Sequence, residues 1–166
     1  RILQTCLCVL AAGTSLSALP PIAGAKGAAP DGKPSIAVLA LKPAAGITKD
    51  EAELLTDRLA IELFKTSKFA VMERQQMEQL LKEQGFQQSG ACTDEGCMVE
   101  IGKLLGVKQL VTGSIGKLGS IFLVNVRVID VSTGKVIKVL SRDLNGMDVV
   151  VGHLPGISRE LVGVDK

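Results

Sequence analysis

"IFLVNVRVIDVSTGKVIKVLSRDL", residues Ile121 to Leu144, is the stretch that sets the fold class. Phe122, Val124, Val126 and Val128 occupy alternate positions, with Asn125 and Arg127 between them. A period of two places the apolar side chains on one face of a β-strand and the polar pair on the other. Ser132-Thr133-Gly134-Lys135 then supplies a turn into a second branched run, "VIKVLSRDL". Upstream, "KQLVTGSI" (108–115) turns through Lys117 to Ser120 into the same strand. Two successive hairpins make an antiparallel meander with one buried face and one partly wet face.

The chain before the meander alternates strands with helices. "SIAVLALKP", Ser35 to Pro43, is a nearly continuous apolar run of strand length, as expected of a strand covered on both sides. Thr48 and Glu51 form a capping box that starts a helix running to Lys65, with Ile47 placed to staple against Ala52. Ala52, Leu55, Leu59 and Leu63 follow at helical spacing. "KFAVMER" reads as a second strand, and Met77, Leu80 and Leu81, stopped by Gly85, as a second helix. A third helix is capped by Thr93 or Asp94, turns Ile101, Leu104 and Leu105 inward and ends at Gly106. After the meander, Asp148 to Val162 reads as a broken helix, because Gly152, Pro155 and Gly156 interrupt it. The order β-α-β-α-α-β-β-β-α predicts an α/β fold: a two-layer mixed sheet with its helices packed mainly on one face.

The first residues concern the compartment. Arg1 precedes an apolar run, Ile2 to Leu19, broken by Gly13, Thr14, Ser15 and Ser17 and followed by Pro20-Pro21 and Ala23-Gly24-Ala25. This is the pattern of a secretory signal peptide cleaved after Ala25, since a permanent span needs about 20 cleanly apolar residues. Cys6 and Cys8 do not sit where a lipoprotein signal would place its cysteine. The expected organisation is a signal peptide at 1–25, a flexible Gly/Pro/Ala-rich lead at 26–34, and one α/β domain at 35–166. The destination is the periplasm, with association to the outer membrane left open.

Charge and aromatic content exclude two classes. The net charge of +2 falls to about +1 once Arg1 is removed, too little for a nucleic-acid-binding field. The chain has no Trp, no Tyr and four Phe, whereas base-stacking platforms and the girdles of membrane barrels need aromatic rings.

The search for chemistry returns little. His153, beside a Gly-Pro break, reads as a surface residue. Gly113, Gly116 and Gly119 lack both the dinucleotide-binding spacing and the Lys-Ser/Thr ending of a phosphate loop, and read as hairpin glycines. Asp94 and Glu95 complement a helix dipole more simply than they build a cation site with Glu100. No catalytic residue, metal site or cofactor is expected. Cys92 and Cys97 leave three readings: zinc, for which two thiols and one distant His are too few ligands; a redox dithiol at a helix N-terminus; and a structural disulfide, favoured by export.

"SIAVLAL", "KFAVMERQQMEQLLKEQGFQQSG", "LGVKQLVTGSIG" and "LVNVRVIDVSTGKV" together resemble the periplasmic domain of the curli-secretion family, CsgG. They are also similar to the N-terminal domain of TolB and to the lipoprotein activators of penicillin-binding proteins. The most specific parts are Val71 to Gln84 and Asn125 to Gly134. The resemblance implies an envelope protein that acts by binding and assembly without an enzymatic centre, through an envelope protein partner, with homo-oligomerisation open. The curli channel family inserts membrane-spanning hairpins of about 9–11 residues per strand, and no residues remain here for them. A secretion pore, a membrane span in the mature chain and a nucleic-acid partner are therefore not expected. The expected partner surface is Asn125 and Arg127 with Thr93, Asp94 and Glu95. Alternatives are activation of a cell-wall synthase, or thiol-disulfide exchange by Cys92 and Cys97.

Overall fold

A computed structural model describes residues 32–85 and 94–163. Its elements are β1 (Ser35–Val38), β2 (Lys42–Pro43), α1 (Lys49–Lys65), β3 (Ala70–Val71), α2 (Arg74–Glu83), α3 (Glu95–Leu105), β4 (Gln109–Leu118), β5 (Ile121–Asp130), β6 (Val136–Asn145) and α4 (Met147–Leu161). The sheet runs β3-β1-β4-β5-β6, with β2 paired to β4 beside β1. β1 is parallel to β3 and β4, whereas β4, β5 and β6 form the antiparallel meander.

The mixed α/β sheet and its element order match the sequence expectation, with three local differences. The run Ser35–Pro43 is two strands. Val38 pairs with Val111 and Lys42 with Ser114, so four steps on one side match three on the other, which is a bulge. The amide of Leu41, turned out of the ladder there, donates to Thr56 Oγ1 of α1 at 2.9 Å, and that hydroxyl donates to the Ala52 carbonyl at 2.6 Å.

The second difference is the layering. β1 to β3 moves one way across the sheet, and β3 to β4 moves back past β1. Right-handed crossovers in opposite directions place their helices on opposite faces. Accordingly α1 and α4 cover Ile36, Val38, Val111, Val124, Val126 and Val128, while α2 and α3 cover Ala37, Leu110 and Ile129 on the other side. Helices therefore lie on both faces, and the second pair covers one end only.

Third, α4 is continuous through Pro155. Val150, Leu154, Ile157 and Leu161 recur along one face and are buried. Burying each such side chain is worth about 1.5–3 kcal/mol, which offsets the roughly 3 kcal/mol cost of an interior proline.

Local signals act where the sequence placed them. Thr48 and Glu51 close the capping box. Gly106, at φ 67°, ends α3, with Val107 N–H donating to Gly102 O and Gly106 N–H to Lys103 O. Gly119, at φ 62°, takes the first position of the two-residue turn joining Leu118 to Ile121, where a side chain would be strained. Lys117 Nζ lies over the Phe122 ring, 5.3 Å from its centroid.

Candidate binding face

Because α2 and α3 reach only the Leu110–Ile129 end of their face, no other helix among the described residues covers the rest of it. Register gives the rows of this face: the buried Thr112 with Arg127 and Val139; then Ser114, Asn125 and Ser141; then Gly116, Leu123 and Asp143; then Leu118, Ile121 and Asn145. Several apolar side chains stand exposed there, with Leu118 at 73%, Val139 at 65% and Ile121 at 44% relative accessibility. Ser141 Oγ donates to Asn125 Oδ1 at 2.7 Å across the strands, fixing that amide. Arg127 is half-buried and has no ion pair among the described residues. A guanidinium so placed, between Thr112 and Val139, can donate to a carboxylate of another molecule.

The backbone beneath this face is held closely. A Cβ at Gly113 would lie 2.1 Å from the Asn125 carbonyl oxygen, so only glycine permits this approach of β4 to β5. At the tip of the meander, Gly116 packs beside Ala44, the residue following β2.

Asn125 and Arg127 fall together on the open face, as the alternation in β5 requires. Asp94 caps α3, its Oδ1 accepting from Cys97 N–H at 2.8 Å. Glu95 is the first residue of that helix. α3 lies on the same side of the sheet as Asn125 and Arg127. Cys97 is half-buried in the first turn of α3 and packs against its core. Ala25, Cys92 and Thr93 lie outside the described residues. Leu123, Val139 and Ser141 were missing from the expected site, although alternation in "VIKVLSRDL" carries the same period-two signal as β5.

Elsewhere the exposed groups have local duties. His153 Nδ1 lies 2.8 Å from the Val149 carbonyl oxygen, one turn back on α4. Asp130 Oδ1 accepts from the hydroxyls and amides of Ser132 and Thr133, and these bonds hold its carboxyl below the ordinary range. Leu54, Ile61 and Phe64 make a second exposed apolar stripe on the outer side of α1, beside the Arg58–Glu62–Lys65 ion pairs. Among the described residues no three metal-binding side chains converge, and no helix is long and apolar enough to cross a membrane.

The family described as "Curli production assembly/transport component CsgG" matches residues 21–122, more than half of the chain. The match ends before the Asn125–Gly134 hairpin. No curated protein sequence matches the chain. Among solved structures, the chain is similar to the LpoB C-terminal domain from Salmonella enterica, at 16% identity over 68% of this chain and 84% of that one, with a TM-score of 0.57. It is similar to lipoprotein GNA1162 from Neisseria meningitidis, at 14% identity over 78% and 96%, with a TM-score of 0.58. TolB from Acinetobacter baumannii aligns at 16% identity over 82% of this chain and 29% of that one, with a TM-score of 0.52. At these identities the likeness is one of fold.

Proposed function

Since the chain belongs to the family of the curli production assembly/transport component CsgG, we propose that it is a non-enzymatic periplasmic assembly domain that works by binding an envelope protein partner. The observation that carries this reading is the open sheet face, where Arg127, without an ion pair among the described residues, stands beside Val139 and next to the Asn125–Ser141 row, with Leu123 in the row beyond. Partner interfaces favour such a surface, in which aliphatic groups surround a few oriented polar ones and an arginine.

A benzophenone amino acid placed at position 123 in the full chain, in living cells, tests it. The expected result is a crosslink to another envelope protein that is lost in the Arg127→Glu variant, while the same probe at position 61 on α1 gives none. A crosslink from position 61 alone would move the site to the helix.

In the same reading the chain is exported and cut after Ala25, which N-terminal sequencing of the periplasmic form checks. Cys92 and Cys97 then form a structural bridge at the entrance of α3. A reduction potential below about −300 mV marks a structural bridge, and one near −200 mV an exchange catalyst.

A further inference from the structure

We propose that β6 is a strand-addition site, which receives an extended, acidic segment of the partner along its outer edge. This rests on the binding reading above and names its mode. The sheet ends in β6, a ten-residue strand paired only with β5 among the described residues. Its other terminal strands are short: β3 has two residues, and β2 has two, one of them the proline Pro43. A long edge presents a row of backbone donors and acceptors that a second strand can complete.

The side chains say which strand fits. Lys138 and Arg142 share the α4-side face of β6, because they pair with Val128 and Val124. Arg142 pairs with Glu160 of α4 and its Nη1 donates to the Ser141 carbonyl at 2.9 Å, so an added strand pairs with the other backbone groups of the edge. Lys138 has no ion pair among the described residues. A second copy of β6 is a poor occupant. In an antiparallel pairing centred on Leu140, Lys138 faces Arg142 of the other copy. Centred on Lys138 or Arg142, each meets itself, and centred on Val139 or Ser141 the basic residues become diagonal neighbours. Like charges directly opposite are destabilising, and diagonal neighbours lie within reach of side chains this long. A strand carrying Asp or Glu opposite Lys138 turns the same charge into an attraction.

On the other face, Val139 stands 65% exposed and Ile137, at the bulge, 50%. The incoming strand therefore carries apolar residues on that side, alternating with its acidic ones. Val139 pairs with Arg127, so the added strand also widens the open face.

The test places a benzophenone amino acid at position 139, and separately at position 123, in the full chain in cells, and sequences the crosslinked peptides. The expected result is labelling of the same partner from both positions. The peptide joined at 139 comes from one segment in which acidic and apolar residues alternate, and its yield falls about tenfold in the Lys138→Glu variant, with an unchanged circular dichroism spectrum. Labelling from 123 without 139 overturns strand addition and leaves the binding reading standing. Labelling from neither position overturns strand addition and removes this face from the binding reading. A crosslink from 139 to this chain's own sequence, or to a segment without acidic residues, also overturns the proposal.

Discussion

Arg74, the first residue of α2, reaches Asp57 on α1, with Nη1 2.9 Å from Oδ1. The same guanidinium meets Glu78 at 2.7 Å and Glu53 at 3.5 Å. One side chain thus joins three carboxylates from two helices, which gives the Val71–Gln84 motif its physical meaning. Arg74→Ala leaves those carboxylates facing one another. Each exposed pair contributes about 0–1 kcal/mol, so the expected loss is about 1–2 kcal/mol by urea unfolding, shrinking in 1 M salt. A loss that salt does not change would mean that packing of the arginine stem, and not its charge, ties the helices.

Gly102 sits where α3 crosses the chain leaving β5. A Cβ there would lie 2.4 Å from Val131 Cγ2. Alanine is the better helix former by about 1 kcal/mol. The contact reverses that sign, and Gly102→Ala is expected to destabilise by about 1–3 kcal/mol. Adding Val131→Ala to Gly102→Ala makes room, so the double variant should lose less than the two single losses combined. Additivity in that cycle would show that the two side chains do not compete for space.

The Asp130 turn gives a signed pH dependence. Hydrogen bonds from the Ser132 hydroxyl first, then from the Thr133 amide, hold the carboxyl below its ordinary value of 3.8. A group whose folded pKa is depressed contributes stability above its unfolded value and loses it as pH falls through the folded one. Asp130→Asn keeps an acceptor oxygen but cannot titrate. The difference in stability between the parent and this variant should therefore be constant above about pH 5 and shrink below pH 4. A difference independent of pH would remove the carboxylate from that role.

Much of this was legible in residues whose effects are local. Thr48 with Glu51, Gly106, and the alternation of Phe122 to Val128 each specify their structure within a few positions. The continuity of α4 was not legible, because Pro155 argues locally against a helix and only burial of Leu154 and Ile157 against the sheet decides otherwise. The split of Ser35–Pro43 depends on α1, which is not yet present when that run is read alone. Of the candidate face, Asn125 and Arg127 could be read from β5. Val139 and Ser141 needed the register of β6, and the extent of the open area needed the position of α2 and α3.

The bond between Leu41 and Thr56 gives the early half of the chain a shared fate. The β1–β2 bulge would leave the Leu41 amide without an acceptor if α1 were undocked, and a buried orphan donor costs about 1–3 kcal/mol. Strand and helix should therefore order and melt together as one cooperative unit. In native-state hydrogen exchange the Leu41 amide should open with the amides of α1, on the same denaturant dependence, and not with the fraying ends of the sheet.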